Sequence, residues 1–229
     1  MNDDHSLIDK LSSKFKEYNI SKIESGASKK IFYRLIGVRD TFIVTDFVLD
    51  NNEYKNHLKI YDLLKKINIS IPKIIENNDE DLLIISEDFG NLRFDKILKE
   101  YPISELLQYA VDTLVVLKNS IKFQDNFELK KYDFDTFKNE IMELPDYYFP
   151  YKKLKDKKLI EEFIFIWSEA YGNFNFEFSN FIHKDFNINN LILLPNKEGH
   201  LRCGVIDFQS AFWGESSWDL FSLLEDSRI

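Results

Sequence analysis

The chain of 229 residues is 44% hydrophobic and 15% aromatic, which indicates a globular protein with a substantial core rather than a disordered chain. A formal net charge of −9 argues against non-specific nucleic-acid binding, and the single cysteine, Cys203, excludes an internal disulfide framework and a cysteine-based zinc site. No apolar run is long enough to span a membrane, and the start MNDDHSLIDKLSSKF lacks the basic and apolar regions of a signal peptide. We therefore expect a cytoplasmic protein without membrane partners.

The first part of the chain, up to about Asp88, is predicted to form strands around one helix. A short first strand is predicted within NISKIES. Two further segments are rich in β-branched and aromatic residues and predict a hairpin joined through GVRD: KIFYRLIG and TFIVTDF. Apolar residues from Tyr54 to Leu64 then recur at helical spacing, with Asn51 or Asn52 as the N-cap. IPKIIEN and DLLIISED predict two further strands, with NNDE as their turn.

After Gly90 the pattern becomes mainly helical. YPISELLQYAVDTLVVLKNSI predicts a helix with Pro102 in its first turn, and KKLIEEFIFIWSEAYGNF predicts a second helix that is apolar on most sides and therefore centrally buried. NLILL and CGVIDF predict a hairpin, and SSWDLFSLLEDSRI predicts a last helix that begins near Ser216 or Ser217. We expect an α+β fold with a β-rich lobe over 1–89 and a helical lobe over 90–229, with ligands in the cleft between them.

The stretch FIHKDFNINNLILL contains the spacing H-x-D-x-x-x-x-N at His183, Asp185 and Asn190, and a short apolar strand ends at Asp207. This is the spacing of the kinase catalytic loop. A carboxylate at position 185 can orient an attacking hydroxyl and accept its proton, while Asn190 and Asp207 offer the oxygen ligands that Mg²⁺ prefers. His183 is expected to support the loop backbone. The alternative is an asparagine-rich turn without a chemical role.

These motifs resemble the aminoglycoside phosphotransferase and choline kinase family of small-molecule kinases, which has a protein-kinase-like fold. GVIDFQSAFWGESSWDLFSLLED resembles the branch that includes the bacterial anomeric N-acetylmuramate and N-acetylglucosamine kinases. The resemblance implies the use of ATP and Mg²⁺ and phosphoryl transfer to a hydroxyl of a small molecule such as an amino sugar. It makes Asp185 the catalytic base, Asn190 and Asp207 the Mg²⁺ ligands, and Asp219 a brace beneath the loop. For Asp219, a helix N-terminal acid favoured by the helix dipole is the other interpretation.

The same resemblance suggests which residues bind the nucleotide. In SGASKK, Gly26, Ala27 and Ser28 are similar to a loop that covers the phosphates, although a simple turn has the same composition. The segment after the predicted fifth strand resembles a hinge that offers backbone groups to adenine, and the alternative there is an exposed pair of acids: Glu87, Asp88 and Phe89.

One feature departs from the protein-kinase pattern. Protein kinases carry a lysine on the third strand that holds the α- and β-phosphates, whereas TFIVTDF has Thr45 or a neighbour there. Lys30 and Arg34 on the preceding strand are candidates for this function and share a strand face because their separation is even. Two solvated strand charges are the alternative. Glu53 could pair with one of them, but we favour a surface acid near a helix start.

The acceptor site is the least defined part of the pattern. In FKNEIMELPDYYFPYKK, Glu140 and Tyr147 could line a sugar site, and Trp213 and Glu215 follow Asp207 closely, but a packed interhelical loop is favoured for the first segment. Family members continue beyond the position of Ile229 with helices that complete the acceptor pocket, so a fragment, a truncated product or a minimal form is expected. The alternative function is a non-catalytic nucleotide-binding protein or an inactive truncated kinase. A protein kinase, for which no long activation segment is present, and a purely structural protein rank lower.

Overall fold

The computed structural model describes residues 3–24, 29–48, 50–123, 127, 129–154 and 156–226. The helices of these residues are α1 (Asp3–Lys14), α2 (Asn51–Leu64), α3 (Phe94–Ile97), α4 (Ile103–Ser120), α5 (Phe134–Glu143), α6 (Phe149–Tyr151), α7 (Lys157–Gly172) and α8 (Trp218–Leu224). The strands are β1 (Asn19–Ile23), β2 (Ile31–Ile36), β3 (Thr41–Asp46), β4 (Ile74–Asn78), β5 (Leu83–Glu87), β6 (Asn180–Ile182), β7 (Leu191–Leu193), β8 (Cys203–Val205) and β9 (Phe212–Gly214).

The first five strands form one antiparallel sheet in the order β1-β2-β3-β5-β4, so all five predicted strands are confirmed. The tight turn between β2 and β3 closes with the Gly37 N–H donating to Asp40 O at 2.9 Å. The turn between β4 and β5 lies later than NNDE. Asn77 pairs with Ile84 and Asn78 pairs with Leu83, the first residue of β5, so both asparagines belong to β4. An antiparallel sheet in the first part of the chain and mainly helices in the second confirm the predicted α+β class.

Helix α1 was absent from the sequence prediction. Its Leu11 is buried, with Leu7 one turn earlier, against the sheet face that carries Tyr33, Leu35 and Val44. The spacing of Leu7 and Leu11 is the i, i+4 pattern of a helix face, so the signal was present but short. Alternate residues of β2 therefore point away from α1, which leaves positions 32 and 34 on the other side of the sheet.

Helix α2 begins one residue earlier than the predicted caps. The N-cap is Asp50 rather than Asn51 or Asn52, and its Oδ1 accepts the Glu53 N–H at 2.9 Å. A carboxylate at this position satisfies an unpaired backbone donor and also interacts favourably with the helix dipole.

The helical part is organised around α4 and the β7-β8 hairpin. Helix α4 starts directly after Pro102. Its buried apolar residues form a core with the hairpin and the end of α2. This core includes Ile60, Leu64, Leu106, Ala110, Leu117, Leu191 and Val205. Because α2 contributes to this core as well as covering the sheet, it joins the two parts of the molecule. The lobe boundary at residue 89 stays a prediction.

The central burial predicted for α7 is wrong. One side of the helix packs on α5, with Tyr171 and Trp167 against Phe137 at ring-centroid distances of 4.9 and 5.9 Å. On its other side Phe165 is 63% and Ile166 56% exposed. The sequence pattern shows how many sides of a helix are apolar but not whether other elements cover them. None of the described helices is both long and apolar enough to cross a membrane.

Candidate active site

The loop between β6 and β7 is held in shape by its asparagines. The side-chain amide of Asn190 donates to Asp185 O at 2.9 Å, and its backbone N–H donates to Asn187 O at 2.9 Å. Asn187 Oδ1 accepts the Asn189 N–H at 3.1 Å. These bonds fix the turn that presents Asp185, and they leave Asn190 Oδ1 as a potential metal ligand because the NH₂ group is already used.

The hairpin brings Asp207 to the same end of the molecule as Asn190. Strand β7 pairs with β8, and immediately beyond them Ile206 N–H donates to Asn190 O at 3.1 Å. Asp207 itself has a left-handed backbone with φ 65°, and Gln209 Nε2 donates to its Oδ1 at 3.0 Å. One carboxylate and one amide oxygen then lie on adjacent strand ends, which is a suitable donor set for Mg²⁺, since this ion keeps several of its waters.

His183 fastens the loop to the Asp207 turn. Its side chain is buried, and burial lowers its pKa to about 4, so the ring is neutral near pH 7. Nε2 lies 3.0 Å from Ile206 O, which requires the proton on Nε2. The predicted support of the loop backbone therefore takes the form of a bond to the residue that precedes Asp207.

Asp219, in the first turn of α8, contacts the loop directly. Its Oδ2 accepts the His183 N–H at 2.7 Å and its Oδ1 accepts the Lys184 N–H at 3.0 Å. Burial raises the pKa of Asp219 to about 7, while the two N–H donors oppose this shift. Because both oxygens accept a backbone N–H, these contacts favour the ionised form of the carboxylate. These contacts are those of a brace rather than of a dipole-stabilised surface acid.

The brace holds a strained residue. Lys184 has φ 81°, a conformation that costs a non-glycine residue energy. Besides the bond from its N–H to Asp219, its carbonyl accepts the Trp218 Nε1–H at 3.2 Å. Helix α8 thus fixes both backbone groups of the residue before Asp185, a contribution of Trp218 that the sequence did not indicate.

The side chain of Lys184 extends to α5. Its Nζ donates to Glu140 Oε1 at 2.8 Å, and the other Glu140 oxygen accepts the Tyr132 hydroxyl. Burial raises the pKa of Asp185, while the Lys184 charge lowers it and the Asp207 and Glu140 charges raise it. Glu140 is therefore an acceptor candidate in direct contact with the loop between β6 and β7.

The other three acceptor candidates lie elsewhere. Trp213 is only 2% exposed and packs among core aromatic rings, so its indole is not available to a ligand in the cleft. Glu215 accepts hydrogen bonds from the backbone N–H groups of Glu177 and Ser216. Tyr147 is 76% exposed on the π-helical turn that follows α5.

Lys30, directly before β2, is buried between two carboxylates. Its side-chain Nζ lies 2.5 Å from Asp207 Oδ1 and 3.1 Å from Glu53 Oε1. The residue is 3% exposed. The preference for Glu53 as an unpaired surface acid is therefore wrong, and so is the alternative of a solvated strand charge at position 30. A buried ammonium group needs such partners to offset its desolvation.

Arg34 has a different position. Its Nε lies 2.7 Å from Asp88 Oδ2 as an ionic contact, and its Nη2 donates to Asp88 Oδ1 at 3.1 Å and to Gly90 O at 3.3 Å. Nη1 donates to Asn91 Oδ1. The guanidinium thus ties the sheet to the segment that connects it to the helical part.

The segment after β5 contributes structural contacts as well. The Asp88 carboxylate is buried against Arg34 rather than exposed, which excludes the simple pair of surface acids. Glu87 exchanges contacts with Lys73, and the Phe89 ring lies so close to β8 that a Cβ on Gly204 would meet it at 2.6 Å. The remaining phosphate-loop candidates, Gly26, Ala27 and Ser28, lie outside the described residues.

A family model described as "Phosphotransferase enzyme family" matches residues 19–229. Proteins named N-acetylmuramate/N-acetylglucosamine kinase are similar to this chain: that of Neisseria meningitidis is 28% identical over 76% of the chain and 51% of its own length. That of Pseudomonas aeruginosa is 24% identical over 90% of the chain and 59% of its own length. The chain thus spans between half and three fifths of these relatives.

Solved structures with the same fold include a choline kinase and an aminoglycoside phosphotransferase. The choline kinase LicA from Streptococcus pneumoniae superposes with a TM-score of 0.70 at 16% identity, covering 100% of this chain and 76% of that one. The ADP-bound aminoglycoside phosphotransferase APH(2'')-Ib gives 0.67 at 20% identity, covering 98% and 77%. These likenesses confirm the protein-kinase-like fold expected from the sequence.

Proposed function

The chain belongs to the phosphotransferase enzyme family, and from this premise we propose that it is an ATP- and Mg²⁺-dependent kinase of small molecules. The main support for this proposal is that Asn190 connects the segments that carry Asp185 and Asp207. Its side-chain amide donates to the backbone oxygen of Asp185, and its own backbone oxygen accepts the N–H of Ile206. Kinases need this combination because an attacking hydroxyl and a metal-bound triphosphate must be held together. We also propose that it works in the cytoplasm.

In the proposed reaction the hydroxyl oxygen of the acceptor forms a bond to the γ-phosphorus, and Asp185 accepts the proton of that hydroxyl. The bond from that phosphorus to the oxygen bridging to the β-phosphate breaks, and ADP leaves. Mg²⁺ bound by Asn190 and Asp207 would spread the negative charge of the triphosphate. His183 and Asp219 keep the loop in place, and Asp219 does so through the strained Lys184.

For the acceptor we propose an amino sugar. The relatives from Neisseria meningitidis and Pseudomonas aeruginosa carry N-acetylmuramate and N-acetylglucosamine in their names. Beside Asp185, the hydrogen-bonded group of Lys184, Glu140 and Tyr132 offers charged and polar atoms of the type that bind sugar hydroxyls. The missing third-strand lysine is one of two reasons for the alternative of a non-catalytic nucleotide-binding protein, the other being the early C-terminus, and the buried Lys30 weakens the first reason.

A coupled ADP-release assay tests this proposal. The chain is incubated with ATP, with and without Mg²⁺, and with N-acetylmuramate, N-acetylglucosamine, choline or an aminoglycoside, while a reaction without acceptor measures background hydrolysis. We expect Mg²⁺-dependent ADP release that is greatest with an amino sugar. Thermal stabilisation by Mg·ATP without acceptor-dependent release would favour the non-catalytic alternative, and the absence of nucleotide binding would contradict both functions.

The pH dependence of kcat/KM tests the role of Asp185. Transfer needs its ionised form, so kcat/KM should fall as the pH drops through its pKa, which burial holds above the ordinary aspartate value. Lys184→Met removes a charge that lowers this pKa and should move the acidic limb to higher pH. Glu140→Gln removes a charge that raises it and should move the limb to lower pH. Shifts of the same sign in both variants would contradict the assignment of this limb to Asp185.

A further inference from the structure

We propose that Lys30 binds the α- and β-phosphates of the nucleotide, so that the lysine of this site comes from the residue directly before the second strand instead of from the third strand. The inference rests on the proposed function and deepens it. Protein kinases place this lysine on the third strand, paired with a glutamate of the following helix and near the metal-binding aspartate. Strand β3 has no lysine, and Thr45 lies there in a buried position.

Lys30 has the two partners that the third-strand lysine has in a protein kinase. Glu53 belongs to α2, the helix that follows β3, and its Oε1 lies 3.1 Å from Lys30 Nζ. Asp207, the proposed metal ligand, lies 2.5 Å from the same nitrogen. A single ammonium group therefore connects the helix to the metal-binding turn across the cleft.

The sheet geometry explains how the lysine can change strands. Phe32 is paired with Thr45 between β2 and β3, so the two side chains are on the same face of the sheet. The Lys30 Nζ lies 5.9 Å from the centroid of the Phe32 ring, so it is on that face too, opposite the Tyr33 face that packs on α1. A long, flexible lysine side chain that starts one strand further away can thus end at the same place.

The rival candidate, Arg34, is committed elsewhere. Its guanidinium contacts Asp88, Gly90 and Asn91 in the segment that connects the sheet to the helical part. Removing it from that segment would leave the buried Asp88 carboxylate without its cation, which is costly. Lys30 instead lies beside Asp207, one of the two residues that would bind the metal.

Binding measurements on variants test the proposal. The dissociation constants of Mg·ADP and adenosine are measured by calorimetry for the wild type, Lys30→Met, Lys30→Met/Thr45→Lys and Arg34→Met. Lys30→Met loses one charge-assisted contact, so its dissociation constant for Mg·ADP should rise about ten- to a hundredfold. Its dissociation constant for adenosine should stay unchanged, because adenosine has no phosphates. Returning a lysine to the third strand in the double variant should recover at least about tenfold of this loss. Lys55→Met, an exposed change of the same kind on α2, is the control and should bind both ligands as the wild type does.

Three results would overturn the proposal. The first is that Lys30→Met binds Mg·ADP as tightly as the wild type. The second is that Lys30→Met loses as much affinity for adenosine as for Mg·ADP. The third is that Arg34→Met, and not Lys30→Met, loses affinity for Mg·ADP alone. If the double variant does not fold, the comparison of Lys30→Met with Lys55→Met still decides. Lys30-dependent ADP binding without any phosphoryl transfer would contradict the proposed function alone, whereas transfer unaffected by Lys30→Met would contradict this inference alone. A wild type that binds no nucleotide would contradict both.

Discussion

Asp185→Asn should lower kcat by about a hundred- to ten-thousandfold, the usual contribution of a general base, and leave the affinity for Mg·ATP within about threefold of the wild type. The amide cannot accept the hydroxyl proton, so the loss falls on the chemical step. Nucleotide binding is expected to survive because the proposed metal ligands, Asn190 and Asp207, are unchanged. The loop also keeps its shape, since Asn190 bonds to the backbone oxygen of residue 185 and not to its side chain.

Single-turnover phosphoryl transfer and calorimetric titration of Mg·ATP measure these two quantities separately. The exposed Asp135→Asn in the first turn of α5 serves as the control and should leave both unchanged. If turnover of Asp185→Asn stayed at the wild-type level, Asp185 would not be the base. If nucleotide affinity fell together with turnover, the residue would act in binding the metal or nucleotide rather than in accepting the proton.

The part of the site that the sequence predicts is the part whose contacts are local. The bond between Asn190 and Asp185 spans five residues, and the β7-β8 hairpin that carries Asp207 follows immediately. A short motif can specify such a unit because few conformations satisfy its hydrogen bonds. The five strands of the sheet were predicted for a similar reason, since each has its own composition and turn.

The parts that sequence reasoning missed depend on distant neighbours. Lys30 and Asp207 are 177 positions apart, and nothing in SGASKK indicates that this lysine is buried between two carboxylates. The exposure of α7 likewise depends on which elements surround it, because its apolar residues would suit a central helix equally well. For Asp219 the sequence left two interpretations open, and only the position of α8 beneath the loop distinguishes them.

Asp219→Asn should destabilise the protein by about 2 kcal/mol or more and also reduce turnover. The asparagine oxygen can accept one of the two N–H groups of His183 and Lys184, but its NH₂ group would face the other, leaving a buried donor without an acceptor. For a chain of this size Tm should fall by about 4–8 °C. Lys184 would be free to relax from φ 81°. A displacement of about 1 Å at Asp185 is then enough to lower kcat about a hundredfold.

Asp135→Asn separates the brace from the dipole effect, since Asp135 is also an acid in the first turn of a helix but is exposed. Its replacement should cost no more than about 1 kcal/mol. Thermal unfolding of both variants, together with kcat and KM for the amino sugar, distinguishes the two interpretations. Equal, small losses in Tm would mean that Asp219 acts only on the helix dipole. We expect instead that Asp219→Asn lowers Tm more than Asp135→Asn does, and that it lowers kcat while nucleotide affinity stays unchanged. This result follows because the Asp219 carboxylate holds Lys184 in its strained conformation and so positions Asp185.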